Sequence, residues 1–315
     1  MYGSIVVPLD GSPFGNGALP VAITLASRCG AEVHLVHVRE PVLFQEGSSA
    51  YEPHLADDQQ RTVRAHITTA AAHLSRESSL RVDAEFLDGE IVPSLRQYLE
   101  GGDPDLVVMM THGRGGWNRA WLGSVADGLI RSAPVPLLLL RQDTEWLRDA
   151  VEPLFRRVLI PLDGSAMAEE VLEHVLALGK PDATEYVLLS VIAPHHVSEP
   201  GDSDADSLTV RSRDEQQRDA AHNYLNRVAG DLRSSGARVK VSVEVYRHTS
   251  QGILHAAAEY QVDMIALSTH GRGSLSRLMH GSVSDKILRG ADVPVFVYRP
   301  ALAGEEQSED RRALE

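Results

Sequence analysis

The 315-residue sequence predicts two consecutive α/β domains, each a doubly wound, Rossmann-like sheet of about five mainly parallel strands flanked by helices. Three observations predict this. The chain is about twice the usual length of one domain. Long phrases occur in it twice. Its apolar runs are nearly continuous rather than alternating, the pattern of strands buried on both faces of a parallel sheet.

The repeat sets the organisation. "IVVPLDGS" (Ile5 to Ser12) returns as "VLIPLDGS" (Val158 to Ser165), and "THGRGGWNRAWLGSVAD" (Thr111 to Asp127) returns as "THGRGSLSRLMHGSVSD" (Thr269 to Asp285). Asp10 and Asp163 are 153 positions apart, whereas Ser124 and Ser282, like Arg141 and Arg299, are 158 apart, so about five residues enter between these landmarks. We expect that gain in a loop. Thr111 to Arg141 and Thr269 to Arg299 share fifteen of thirty-one residues, which marks a duplicated domain. The expected boundaries are residues 1–141 for the first domain, 142–155 for a charged linker, 156–300 for the second domain and 301–315 for an acidic tail.

Each copy reads as strand, helix, strand, long helix, strand, helix, strand, glycine-rich phrase, helix and strand. In the first copy these are Ile5 to Leu9, about Phe14 to Cys29, "EVHLVHV", about His54 to Ser79, "DAEFL", Ile91 to Leu99, "DLVVMM", the phrase itself, Ser124 to about Ser132, and "VPLLLL". The second copy supplies "RRVLIPL", "YVLLSV", "VKVSVEVY", "DMIALS" and "VPVFVY" in the same order. Ala193 to Ser207, rich in Pro, Gly and acids, reads as a loop.

A formal net charge of −14 argues against nucleic acid and anionic membrane surfaces as partners, so any anionic ligand must be held by local features. One cysteine, Cys29, cannot form an internal disulfide, and no metal-type Cys/His spacing occurs, which fits a cytoplasmic location and no metal site. No run of about 18 apolar residues suggests a membrane span.

In an open parallel sheet, ligands sit beyond the carboxyl ends of the strands where crossovers diverge. "PLDGS" follows the first strand and "THGRG" the fourth, so the two loops face one crevice. Gly113 and Gly115 allow close approach of backbone amides, and Gly123 leads into a helix whose N-terminus is a ready phosphate site. Ser124, Arg114 and Arg119 add a hydroxyl and charge. Gly271, Gly273, Gly281, Ser282, Arg272 and Arg277 repeat the set. Other readings stand beside these. Ser124 with Asp127, and Ser282 with Asp285, form a capping-box spacing that suits any helix. Arg119 and Arg277 also suit a solvated surface, and His112 and His270 suit structural hydrogen bonding better than acid–base work. Ser12, followed by Pro13, reads as a helix cap, and Asp10 and Asp163 read either as turn formers or as acceptors for an adenine amino group or ribose hydroxyls.

With these residues in view, the sequence resembles the universal stress protein family in its tandem two-domain, nucleotide-binding form, from about Tyr2 to Pro300. Nine residues separate Gly113 from the pair Gly123–Ser124, and nine separate Gly271 from Gly281–Ser282, as in that family's nucleotide-binding motif. The resemblance implies an adenine nucleotide alpha hydrolase-like fold and two sites for ATP, ADP or AMP, with Mg²⁺ or Mn²⁺ accompanying the phosphates. It implies a first site of Pro8, Asp10, Val38, Met110, Gly113, Arg114, Gly123, Ser124 and Val125. The second would comprise Pro161, Asp163, Val191, Ser268, Gly271, Arg272, Gly281, Ser282 and Val283. Asp10 and Asp163 would contact the adenosine, Val38 and Val191 the base through backbone groups, and the glycine loops the phosphates. Met110 and Ser268 replace the family's first glycine. A methionine there would pack on the ribose or fill part of the pocket, so the second site is expected to be the stronger.

The resemblance further implies that the fifth strands pair antiparallel about a pseudo-twofold axis, and that tandem chains associate as dimers and serve a protein partner in stress response. The expected role is binding rather than catalysis. The Walker arrangement of Gly-x-x-x-x-Gly-Lys-Ser/Thr is absent, which disfavours the alternative of a slow ATPase. Retention of both glycine motifs disfavours a nucleotide-free interaction module.

Overall fold

The computed structural model describes residues 2–40, 53–111, 122–141, 154–180, 183–194, 204–269 and 282–300, with the backbone alone for 53–57, 204–212 and 282. The first half runs β1 (Ser4–Pro8), a 3-10 turn (Gly15–Ala18), α1 (Leu19–Cys29), β2 (Glu32–Arg39), α2 (Pro53–Ser78), β3 (Val82–Asp88), α3 (Ile91–Glu100), β4 (Leu106–Met110), α4 (Ser124–Ser132) and β5 (Leu137–Leu140). The second half runs β6 (Arg157–Pro161), α5 (Ala166–Glu169), α6 (Val171–Leu178), β7 (Glu185–Ile192), α7 (Asp204–Ser234), β8 (Arg238–Val245), α8 (Thr249–Glu259), β9 (Met264–Ser268), α9 (Ser282–Gly290) and β10 (Val295–Tyr298).

All ten strands form one sheet in the order β3-β2-β1-β4-β5-β10-β9-β6-β7-β8. Within each half every pairing is parallel, and the halves meet through the antiparallel pair β5–β10. The register of that pair sets Leu138 opposite Phe296, and these two residues are equivalents under the 158-residue offset. The pseudo-twofold axis therefore passes through their pairing. Two arginines repeat the symmetry from the ends of these strands. Arg141 Nη1 donates to the Leu288 carbonyl at 3.2 Å and Arg299 Nη1 to the Arg131 carbonyl at 2.6 Å, each reaching the last turn of the other half's final helix. There a cation meets carbonyls that the helix itself leaves unpaired.

Each strand's two faces feed two separate cores. Val33 and Leu35 of β2 pack with Leu25 of α1 and Ile67 of α2, while Val36 and Val38 pack with Leu95 of α3 and Leu129 of α4. The first core continues through Leu138 and Phe296 to Val171 of α6 and Leu225 of α7, and the second through Leu139 and Val297 to Leu288 of α9. No apolar break separates the halves. At the rim of the axis the Tyr2 hydroxyl donates to the His174 carbonyl at 3.1 Å, and the His174 ring stacks on Tyr298 with centroids 4.2 Å apart. Burial lowers the His174 pKa and raises that of Tyr2.

Two sequence expectations need correction. The length gained in the second copy lies chiefly in a helix, not a loop: α7 has 31 residues against 26 in α2. A longer surface helix conserves the strand ends, so the sheet registers of the two halves survive it. The stretch read as loop up to Ser207 turns helical at Asp204, and residues 195–203 of it lie outside the described residues. The linker from Gln142 to Ala150, continuing to residue 153, and the tail 301–315 also lie outside them.

Because Phe296 is fully buried at the axis, Phe296→Ala is expected to cost about 3–5 kcal/mol, as for other buried aromatics. Urea unfolding followed by circular dichroism should show that loss in one cooperative transition, since the cores are shared; two separated transitions would contradict the continuous core.

Candidate functional site

The strand order places β1 beside β4 at the centre of the first half, where connections leave to opposite faces. The chain after β1 makes an Asx turn. Asp10 Oδ1 accepts from the Ser12 amide at 2.9 Å and from the Ser12 hydroxyl at 2.6 Å, and Ser12 Oγ accepts from the Gly15 amide at 3.3 Å. The second copy repeats this with Asp163, Ser165 and Ala168, at 2.9, 2.6 and 3.2 Å. Gly11 and Gly164 between them have φ of +74° and +83°, a region that side chains disfavour, so the Asp-Gly-Ser order is a backbone requirement. The turn-forming reading of both aspartates is thus realised, and Ser165 caps α5. Ser12 is not the cap of α1, which begins later with Pro20 in its first turn; its hydroxyl accepts from Gly15 at the start of the 3-10 turn, whose N-cap is Phe14.

From β2, the Leu9 amide binds the Val36 carbonyl at 2.8 Å, and the buried His37 ring contacts the Leu9 carbonyl through Nδ1 at 2.8 Å. A carbonyl only accepts, so Nδ1 carries the proton. From β4, Met110 turns its sulfur toward the 3-10 turn, within 3.2 Å of where a Cβ on Gly17 would lie. It packs there and lines the crevice at the same time. The buried Thr111 anchors its amide and hydroxyl on the Leu140 carbonyl at 2.9 and 3.2 Å.

The helix start is built differently from the capping-box expectation. Gly123, extended at φ −60° and ψ 149°, is the N-cap of α4, and Ser124 is its first helical residue, exposed at the crevice. The Asp127 carboxylate pairs with Arg131 at 2.8 Å, as Asp285 does with Arg289 at 3.0 Å. The Gly123 amide donates to the Thr111 carbonyl at 2.8 Å, and a Cβ on Gly123 would sit 2.8 Å from that same oxygen. Glycine here lets the ends of segment 112–122 close on each other and aims the first-turn amides of α4 at the crevice.

These parts enclose a cavity of about 310 Å³. Pro8, Asp10, Val38, Met110, Gly123, Ser124 and Val125, seven of the residues singled out in the sequence, line it together. Ile91 and Leu95 of α3 supply an apolar wall, and Val36, His37, Glu40 and Thr111 are among the further lining residues. Sequence reasoning missed this second group. A usable signal lay in the ends of "EVHLVHV" and "DLVVMM", because residues closing parallel strands border the same crest. In the second half Pro161, Val191 and Ser268 close or nearly close β6, β7 and β9, Asp163 follows β6, and Val283 lies in the first turn of α9. Ser282 starts α9, with its side chain outside the described residues. Gly113, Arg114, Gly271, Arg272 and Gly281 lie outside the described residues. Among the described residues no cluster of three His, Cys, Asp or Glu side chains could hold a metal ion, and no helix is long and apolar enough to cross a membrane.

A family model described as the universal stress protein family matches residues 1–141 and again 154–299. The chain belongs to the universal stress protein family, in tandem form. A universal stress protein of Mycolicibacterium smegmatis is 27% identical over 303 residues, covering 95% of this chain and 97% of that protein. One from Mycobacterium tuberculosis is 26% identical over 305 residues, with coverage of 94% and 96%. A crystal structure of a universal stress protein from Archaeoglobus fulgidus superposes with a TM-score of 0.68 at 22% identity, over 95% of this chain and 98% of that one, and so shares the fold.

The two readings of the α4 start separate by mutation. Gly123→Ala is expected to cost about 1–3 kcal/mol through the clash with the Thr111 carbonyl. Ser124→Ala, at an exposed position that caps nothing, should stay within about 0.5 kcal/mol. Paired urea titrations measure both, and a cost of about 1 kcal/mol for Ser124→Ala would restore the cap reading.

Proposed function

We propose that this universal stress protein binds adenine nucleotide at the carboxyl crest of each half and acts as a regulatory binding protein, not as a catalyst. The observation that supports this best is the meeting, in one cavity of about 310 Å³, of an aspartate turn after β1 and a glycine-started helix after β4. That size lies at the lower end of small-ligand pockets, and the apolar wall with few polar groups fits a flat base. In this reading the base lies between Val38 and the Ile91–Leu95 face, and the ribose hydroxyls meet Asp10. The phosphates lie over the amides of Ser124 and Val125, where the helix dipole favours negative charge, and Arg114 closes over them. Asp163, Val191, Ser268, Gly271, Arg272, Gly281, Ser282 and Val283 play the corresponding roles in the second half. Mg²⁺ or Mn²⁺ arrives bound to the phosphates.

The two sites differ in their walls. Met110 fills space beside Gly17 in the first, where Ser268 offers a short hydroxyl side chain in the second, so the second site is the tighter for ATP. Ligand at either crest stabilises the shared core, and a protein partner reads the resulting surface.

Calorimetric titration of ATP and of AMP into the wild type, Gly123→Val and Gly281→Val tests this. Two unequal sites are expected, with one lost in each variant, and Asp10→Ala should weaken the first site about tenfold or more, as loss of a charged hydrogen-bond partner does. A folded wild type that takes up neither nucleotide would overturn the reading.

A further inference from the structure

We propose that Glu40 makes the first crest selective for a base that carries an amino group, and that the second crest, with Ala193 at the equivalent place, lacks this selectivity. The proposal rests on the nucleotide reading of the crest and adds to it a residue that reads the base. Glu40 is the first residue after β2 and lines the cavity together with Val36 and Val38.

Strand geometry puts this carboxylate on the base side of the cavity. Successive side chains of a strand point to opposite faces, so Glu40 continues the stripe of Val36 and Val38, which pack with Leu95 of α3. The extended chain is held to its end: Arg39 pairs with Asp88 of β3, and the Arg39 carbonyl accepts the Gly89 amide at 2.9 Å. The main chain beside Glu40 faces the crevice as well. The Leu9 amide binds the Val36 carbonyl at 2.8 Å, so Val36 and, by alternation, Val38 turn their N–H and C=O toward β1. The pairing of β1 with β2 stops at Pro8 opposite Val36. Val38 thus presents a donor and an acceptor just past the end of β1, and Glu40 adds an acceptor beyond them.

This order of groups suits a 6-aminopurine. Its ring N1 accepts from the Val38 N–H, one amino hydrogen goes to the Val38 carbonyl, and the second goes to the Glu40 carboxylate. A 6-oxo base would set its own oxygen against both acceptors. The carboxylate is available, since among the described residues no ion pair or hydrogen bond occupies it. Its charge also stands clear of the phosphates, which lie over α4 after β4, because β1 separates β2 from β4 in the sheet. The other acid of the crevice, Asp10, already accepts two bonds from Ser12 through Oδ1 and is assigned to the ribose.

The second half supplies the comparison. Pro8 pairs with Val36 as Pro161 pairs with Leu189, so Val191 corresponds to Val38 and Ala193 to Glu40. That half keeps the main-chain groups and lacks the carboxylate. The fold does not require the acid, because Glu40 is exposed and β7 ends without its equivalent.

The test is calorimetric titration of ATP and of ITP, whose base carries oxygen in place of the amino group. Gly281→Val isolates the first site and Gly123→Val the second. The preference for ATP over ITP is expected to be about tenfold or more greater at the first site, as for loss of a hydrogen bond to a charged group. ITP forfeits the main-chain bonds in both halves alike, so the difference between the two preferences reads Glu40. Adding Glu40→Ala to Gly281→Val should lower the first preference to that of the second site, and adding Ala193→Glu to Gly123→Val should raise the second. In the otherwise wild-type chain Glu40→Ala should lower the preference at one of two sites, which decides the matter if a valine variant fails to fold. Equal preferences in the two halves, or a preference unchanged by Glu40→Ala in protein that binds ATP, would overturn this inference and leave the nucleotide reading standing. A folded wild type that takes up neither ATP nor AMP overturns both.

Discussion

The antiparallel pairing of β5 with β10 is the contact on which the rest of the molecule depends. Each half alone would end in a four-residue strand with one unpaired edge and a face of leucine, valine or phenylalanine side chains open to water. Pairing about Leu138 and Phe296 closes both edges at once and joins the two cores above and below the sheet. It also fixes the directions of β4 and β9, which lie next to the pair on either side. Since α4 and α9 pack on the same strands and are held at their far ends by Arg299 and Arg141, the helix starts at the two crests are positioned from the axis outward.

The crest of the first half shows how few residues such a site needs once the sheet is rigid. The Asp-Gly-Ser turn holds its own shape through hydrogen bonds internal to the turn, and Gly123 holds the base of the long phrase by binding the Thr111 carbonyl. Neither device depends on the identity of residues between Thr111 and Gly123. The anchoring groups at the two ends, Thr111 and Gly123, are backbone atoms. Even Met110, the least expected residue at the crest, is accommodated by the missing side chain of Gly17 rather than by displacement of a strand.

The sequence revealed the fold to the extent that local patterns govern it. Continuous apolar runs located all ten strands, and α4 spans Ser124–Ser132 as read, because strand burial and helix periodicity are properties of short windows. The cavity-lining Asp10 and Gly123 are legible from the residues themselves, because one follows a strand and the other opens a helix, whereas Val38 and Met110 enter only through the family resemblance. His37, Ile91 and Leu95 were not, since what brings them to the cavity is the adjacency of β1, β2 and α3, which no window contains. The capping reading of Ser124 fails for a related reason, since the N-cap is Gly123. A Ser-x-x-Asp spacing looks like a cap in isolation, but the contact that selects glycine is with Thr111, twelve residues earlier. The helix that absorbed the extra length was likewise hidden, because a five-residue insertion leaves no mark of whether it extends a helix or a loop.

A duplicated chain carries its own control experiment, and the two ends of the sheet respond to it in opposite ways. At the carboxyl crest both copies retain Asp-Gly-Ser, Thr-His-Gly and Gly-Ser-Val. At the amino edge the copies part: Arg157, Val187 and Tyr260 fill one half where Ser4, His34 and Gly102 leave room in the other. Both halves neutralise the carboxylate at the head of the second strand with an arginine, but from different strands: Arg157 of β6 donates to Glu185 and the neighbouring Tyr260 carbonyl, whereas Arg81, just before β3, pairs with Glu32. The asymmetry at that edge, more than the symmetry at the crest, is where the first half departs from being a copy.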